Sequence, residues 1–141
     1  MTASRAARTV TRVLIVDDHR GIRLGLRAMV EAEPDLEVCG ALSAAEVALE
    51  QAPSLCPDVV IMDLSMPGMG GVAATRALRE VCPDAHVLVL TWHSDSQHVQ
   101  DALAAGATGY VLKGDEHLDL IESVRAVARG ERRLSARVAG L

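Results

Sequence analysis

Four short apolar runs at separate places along the chain constrain its fold more than any other feature. They occupy residues 13–16, 59–62, 87–90 and 110–112, and most of their members are branched. Each run is too short for an independent helix and is apolar on both faces, which is typical of buried parallel strands. A weaker run at 36–41 alternates between apolar and polar residues and suits an edge strand.

Helical patterns separate these runs. Apolar residues recur on one helix face at 22–30, 74–81 and 118–128, and Ser43 with Glu46 forms a capping-box pattern before a helix around 44–51. Five β-α units joined by right-handed crossovers predict an α/β fold, a doubly wound parallel sheet with helices on both faces. Five units fit the flavodoxin-like (βα)5 arrangement, whose strand order is 2-1-3-4-5.

Composition excludes several classes of protein. A chain of 141 residues fits one domain, and a net charge of -5 makes it a poor candidate for binding nucleic acid by itself. No apolar stretch reaches the roughly 18 residues of a membrane span, so we expect no membrane association. The three cysteines lack zinc-ligand spacing, and we expect free thiols in the reducing cytoplasm.

We expect three parts of unequal length. Residues 1–11 carry two arginines but no apolar signal-peptide core, which predicts a disordered N-terminal tail. Residues 12–129 form the folded domain. Residues 130–141 follow a helix-ending glycine and contain too little apolar material to fold alone, which predicts a linker.

A polar group follows each main apolar run. Asp17 and Asp18 follow the first, Asp63 the second, Thr91 the third and Lys113 the last. Because ligands of open α/β sheets bind beyond the carboxyl ends of the strands, these groups are expected to converge at one edge. Taken singly, an Asp after a strand is usually a turn residue and a Lys usually a solvated surface charge. Agreement at four strand ends, including the only lysine of the chain, favours a functional site.

The three carboxylates predict a metal-assisted phosphoryl-transfer site. Two unit charges about 4 Å apart repel by roughly 4 kcal/mol at an effective dielectric of about 20, so the cluster needs a cation. Oxygen ligands from Asp17, Asp18, Asp63 and the backbone carbonyl of Ser65 suit Mg²⁺. Asp63 is then the covalent nucleophile. Lys113 would pair with the phosphoryl oxygens, and the hydroxyl of Thr91 would donate a hydrogen bond to one of them.

These residues resemble, position by position, the acidic pair, phosphoacceptor, switch threonine and lysine of the receiver domains of bacterial two-component response regulators. The resemblance covers residues 12–129. The loop 66–69, Met-Pro-Gly-Met, is similar to that of the family, and residues 105–113 are close to the NarL/FixJ (LuxR-type) subfamily.

The resemblance implies a phosphorylation-dependent signalling switch rather than an enzyme, one that catalyses only its own phosphorylation and slow dephosphorylation. A sensor histidine kinase would phosphorylate Asp63. Thr91 would then move toward the phosphate, and Tyr110 would change its rotamer, although Tyr110 could instead be an edge-strand packing residue. Members of the subfamily carry a C-terminal helix-turn-helix domain, so we expect DNA binding and transcription regulation only through a domain absent from this chain. A weak homodimer is also expected.

Some residues near the predicted site depart from the family pattern or are ambiguous. Trp92 follows Thr91 where the family often has a small residue, and its indole is expected to narrow access to the phosphoryl site. Ser65 and His93 could tune hydrolysis of the phosphorylated aspartate, although the sequence favours an exposed loop position for His93. The other four histidines show no metal-ligand spacing and are interpreted as structural or solvated.

Three alternative functions make different demands on the sequence. A receiver-like interaction module that is never phosphorylated would not need the complete pocket. A phosphatase of the haloacid-dehalogenase type needs a second Asp two residues after the first, where this chain has Ser65. A flavodoxin needs a Ser/Thr-rich phosphate loop after the first strand, where this chain has Asp17 and Asp18.

Overall fold

A computed structural model describes residues 10–140 of the chain. Most of the predicted N-terminal tail therefore lies outside the described residues. The strands are β1 (Thr11–Val16), β2 (Leu36–Leu42), β3 (Val59–Met62), β4 (His86–Thr91), β5 (Gly109–Leu112) and β6 (Arg133–Leu134). The helices are α1 (Arg20–Glu31), α2 (Ala45–Leu55), α3 (Gly71–Val81), α4 (Ser96–Ala104), α5 (Leu120–Ala128) and α6 (Ala136–Ala139).

All the strands run parallel in one sheet of order β2-β1-β3-β4-β5-β6. The flavodoxin-like order predicted for the first five strands is confirmed. The sixth strand was not predicted, because it has only two residues and one of them is a charged arginine. No helix among residues 10–140 is long and apolar enough to cross a membrane.

The sheet divides the core into two layers, because successive side chains of a strand point to opposite faces. Val13 and Ile15 of β1 pack in the layer that also holds residues of α1 and α5. Leu14 and Val16 pack in the other layer, with residues of α2, α3 and α4. Burial on both faces explains why the strands read as unbroken apolar runs.

β5 is an interior strand in this structure. Tyr110 pairs with Val89 of β4 on one side and with Leu134 of β6 on the other. The backbone N–H of Ser135 donates to the carbonyl of Tyr110 at 3.1 Å, and the Ser135 hydroxyl accepts from the Leu112 N–H at 2.9 Å. The interpretation of Tyr110 as an edge-strand residue was therefore wrong. Within 130–140, which were predicted as linker, β6 and the buried Val138 pack on the domain, while the division of the chain at residue 129 stays a prediction.

The predicted capping box at the start of α2 was also wrong. The helix begins after Ala44, and no side chain caps it. The Glu46 carboxylate instead accepts a hydrogen bond of 2.6 Å from the backbone N–H of Met69. Glu46 therefore links α2 to the loop that follows β3, a contact between segments too distant along the chain to be read from local spacing.

Candidate functional site

Three carboxylates meet at the carboxyl ends of β1 and β3. Asp17, Asp18 and Asp63 each place an oxygen in a cluster that also includes a ring nitrogen of His19, and all these atoms lie within 4.8 Å of one another. Asp17 and Asp63 are each only 2% exposed. The strands set this arrangement directly, because the Asp17 N–H donates to β2 and the Asp63 N–H donates to the carbonyl of Val16.

Lys113, which follows β5, reaches the same cluster. Its Nζ lies 2.8 Å from Asp17 Oδ2 and 3.4 Å from Asp63 Oδ2, and its side chain is 5% exposed. Neither contact has hydrogen-bond geometry, so Lys113 Nζ and Asp63 Oδ2 are both buried without a hydrogen-bond partner among residues 10–140. One buried ammonium group therefore pairs with two of the three carboxylates.

The donor set fits a hard divalent cation. Asp18 Oδ1 and Asp63 Oδ2 are buried oxygens that accept no hydrogen bond from the described part of the chain. Buried carboxylate oxygens with unused lone pairs are the ligands that Mg²⁺ takes in proteins. The position of the Ser65 carbonyl, predicted as a further ligand, stays a prediction.

The loop after Asp63 passes very close to the start of α3. A Cβ atom added to Gly71 would lie 2.3 Å from the backbone oxygen of Asp63 and 2.7 Å from Cα of Leu64, so only glycine fits there. The Gly71 N–H donates to the Leu64 carbonyl at 3.2 Å. In the same loop the Ser65 N–H donates to Asp63 Oδ1 at 3.3 Å, which orients the carboxylate.

Thr91 and Tyr110 lie on the neighbouring strands β4 and β5, and both are hydrogen-bonded to the backbone of His93. Thr91 is fully buried at the end of β4, and its hydroxyl accepts a hydrogen bond of 3.4 Å from the His93 N–H. The buried Tyr110 hydroxyl donates to the His93 carbonyl at 2.8 Å. Burial raises the pKa of Tyr110, so its hydroxyl stays a proton donor. His93 thus links the two predicted switch residues through its backbone.

Trp92 lies on the outer side of this segment. Its side chain is 66% exposed, and its ring lies against Gly114, where an added Cβ would come within 3.1 Å. It lines an apolar groove together with Ile22, Leu26 and Lys113. The predicted effect of the indole on access to the phosphoryl site stays a prediction.

Three histidines lie beside carboxylates in the structure. Nδ1 of His19 lies 3.0 Å from Asp17 and 3.2 Å from Asp18, inside the acidic cluster. His93 and His98 form a second group of possible metal ligands with Asp95. The interpretation of His19 and His98 as structural or solvated stays a prediction, although each has a carboxylate close to it: one and two residues before His19, and three residues before His98.

Comparison with known proteins agrees with this geometry. The profile of the response regulator receiver domain matches residues 13–125. The chain is 40% identical over 129 residues to the transcriptional regulatory protein LiaR of Bacillus subtilis, covering 92% of this chain and 61% of LiaR. It is 41% identical to the transcriptional regulatory protein DegU of Brevibacillus brevis, covering 84% of this chain and 50% of DegU.

A solved structure gives the same result. The crystal structure of a two-component response regulator of the LuxR family from Aurantimonas sp. superposes with a TM-score of 0.87 at 35% identity, covering 93% of this chain and 94% of that one. The predicted likeness to NarL/FixJ (LuxR-type) receivers is confirmed. The chain spans half to three fifths of the length of the two curated relatives named above.

Proposed function

This chain belongs to the response regulator receiver domain family, and we propose that it is a phosphorylation-dependent switch whose acceptor is Asp63. One observation carries the proposal. The only lysine of the chain is buried between Asp17 and Asp63 at the carboxyl edge of the sheet. A structural role alone would not require a buried ammonium group and three carboxylates at one strand edge, since burying charge is costly.

Asp17, Asp18 and Asp63 would hold a Mg²⁺ ion, together with the backbone carbonyl of Ser65. When bound, the ion supplies positive charge to the oxygens of the transferred phosphoryl group. The unpartnered buried oxygens of Asp18 and Asp63 support this assignment. Lys113, at the end of β5, supplies the second positive group. Mg²⁺ and the ammonium group together would carry three positive charges against the three negative charges of the carboxylates.

The covalent step takes place at the Asp63 carboxylate. Its oxygen attacks the phosphorus of a phosphohistidine carried by a sensor histidine kinase. The new O–P bond forms as the P–N bond breaks, and the imidazole nitrogen keeps the electron pair and takes up a proton. Lys113 pairs with the phosphoryl oxygens, and positioning and positive charge supply most of the catalysis.

The conformational response would use Thr91 and Tyr110. A phosphate on Asp63 offers acceptor oxygens to the Thr91 hydroxyl. In the described part of the chain this hydroxyl takes part only in the long 3.4 Å bond that it accepts from the His93 N–H. Turning Thr91 toward the phosphate releases the His93 backbone, to which Tyr110 is also bonded. A local change in charge would thus bias a two-state segment.

The partners follow from the family. A sensor histidine kinase would supply the phosphoryl group, and two phosphorylated receivers would form a weak dimer. The curated relatives are named as transcriptional regulators and extend well beyond the matched region. We therefore propose that transcriptional output and DNA binding belong to a separate C-terminal domain.

Acetyl phosphate with Mg²⁺, followed by intact mass spectrometry, tests the proposal. The wild type is expected to gain one phosphoryl group and Asp63→Asn none. Asp84→Asn is the matched control, because Asp84 is an exposed carboxylate in the turn before β4, at the opposite end of the strands. A wild type that gains no phosphoryl group would support the non-phosphorylated interaction module instead. An adduct that persists in Asp63→Asn would show that the acceptor is another residue.

A further inference from the structure

A second group of metal-ligating side chains lies on the segment that joins β4 to α4. His93, Asp95 and His98 each offer one ligand atom, and these atoms lie within 4.8 Å of one another. The two imidazole rings are stacked, with centroids 4.0 Å apart and planes within 5°. We propose that these three residues form a binding site for a borderline divalent metal ion of the Zn²⁺ class, separate from the carboxylate pocket.

The donor types distinguish this site from the Mg²⁺ pocket. Two imidazoles and one carboxylate suit Zn²⁺, Co²⁺ or Ni²⁺, whereas a set made mainly of carboxylates suits Mg²⁺. Three protein ligands are the number found in open zinc sites, which leave a position for water. The side chains of His98 and Asp95 are 43% and 52% exposed, so an ion can reach them from solvent.

The present geometry is close to that of a ligand set. His98 Nδ1 lies 2.8 Å from both carboxylate oxygens of Asp95. Ligand atoms that share a tetrahedral zinc ion at about 2.1 Å lie roughly 3.3 Å apart, so this pair already has the required separation. One ring nitrogen of His93 lies within 4.8 Å of these atoms. That exceeds the ligand separation by at most about 1.5 Å, a gap that a side-chain rotation can close.

Neighbouring groups already orient two of the ligands. Nε2 of His93 contacts the hydroxyl of Ser65, which leaves Nδ1 as the nitrogen that can bind the metal. Asp95 Oδ2 accepts the N–H of His98 and caps α4, so Oδ1 can ligate while the cap remains. A hydrogen bond to the second nitrogen of a ligating histidine is the usual way in which proteins fix its orientation.

An ion here would join the β4–α4 segment to the first turn of α4. The His93 backbone is hydrogen-bonded to Thr91 and to Tyr110, so the ion would also restrain the residues around which the switch is built. That last consequence rests on the proposed function, whereas the metal site does not. Binding of the ion can therefore be measured on the unphosphorylated chain.

The test is a titration of the full chain with Zn²⁺ in the presence of excess Mg²⁺, followed by calorimetry. One ion per chain is expected. His98→Gln and His93→Gln are each expected to weaken binding by about 100-fold or more, since loss of even an outer partner costs about 10- to 100-fold. Zn²⁺ should raise the thermal midpoint of the wild type and leave that of His98→Gln unchanged, because an ion that binds only the folded state stabilises it.

Two controls separate this site from the other possible metal ligands. His117→Gln removes an exposed histidine of the β5–α5 loop and is expected to leave Zn²⁺ affinity unchanged. Asp18→Asn, which alters the carboxylate pocket, should also leave it unchanged. Failure of the wild type to bind Zn²⁺, wild-type affinity in both His93→Gln and His98→Gln, or loss of binding in Asp18→Asn would each overturn the proposal. So would a thiolate charge-transfer band with Co²⁺, which would assign the ion to a cysteine.

Discussion

Replacing Lys113 with methionine tests whether the buried ion pairs stabilise the fold. The 2.8 and 3.4 Å contacts with Asp17 and Asp63 correspond to attractions of about 6 and about 5 kcal/mol at an effective dielectric of about 20. Much of this offsets the cost of burying the three charged groups. Methionine keeps most of the side-chain volume, so the variant chiefly removes the charge and leaves the carboxylates without a cation.

We expect Lys113→Met to lower the free energy of unfolding by about 3 to 5 kcal/mol, the usual cost of removing one partner of a buried pair. Urea denaturation near neutral pH and without Mg²⁺ measures it, with an unchanged slope against urea. Adding Asp17→Asn removes one of the stranded carboxylates, so part of the loss should be recovered. Mg²⁺ should recover part of it as well, because the ion replaces some of the missing positive charge.

Arg27→Met is the matched control for Lys113→Met. Arg27 pairs with Glu31 at 2.9 Å, but both side chains are about half exposed. An exposed pair contributes roughly 0 to 1 kcal/mol, so this variant should unfold almost like the wild type. If Lys113→Met also stays within about 0.5 kcal/mol of the wild type, the range of ordinary surface substitutions, the electrostatic account of the site is wrong.

Two further predictions concern the loop after β3 and the pH dependence of stability. Gly71→Ala should cost about 1 to 3 kcal/mol and reduce phosphoryl loading from acetyl phosphate, because its Cβ would lie 2.3 Å from the Asp63 carbonyl oxygen. Gly25→Ala, in open space within α1, should instead stabilise the chain by up to about 1 kcal/mol, and equal effects of the two would refute the steric argument. Arg125 holds the pKa of Asp35 below its ordinary value, chiefly through a hydrogen bond. This contribution is present above about pH 4 and is lost as the pH falls through the lowered pKa, so urea midpoints of wild type and Arg125→Met should converge in acid. A gap that stays constant from neutral to acidic pH would contradict this assignment.

The sheet and the carboxylate site could be predicted from the sequence because both depend on rules that act along single segments. Strands buried on both faces must be apolar throughout, and the residues that follow them must meet at one edge. The positions of Asp17, Asp63 and Lys113 follow from these two rules. In the structure Lys113 lies within ion-pair distance of both Asp17 and Asp63, as these rules predict.

The remaining features depend on contacts that no local pattern encodes. Glu46 was expected to cap its own helix, but its carboxylate instead accepts a hydrogen bond from the backbone N–H of Met69, 23 residues away. Ser65 and His93 are 28 residues apart and meet only because β3 and β4 are neighbours in the sheet. His98 differs from these two cases, because Asp95 caps α4 and lies only three residues before it. For Glu46 and Ser65 the partner is chosen by tertiary structure.

The short sixth strand has a consequence for solubility. The backbone of an uncovered edge strand can pair with another chain, and such edges are starting points for aggregation. β5, four buried residues without a charge, would be such an edge. β6 covers one side of β5, is itself only two residues long, and carries the exposed Arg133. The few residues after α5 thus cover the edge of β5. A chain shortened before Arg133 would expose that edge to intermolecular pairing.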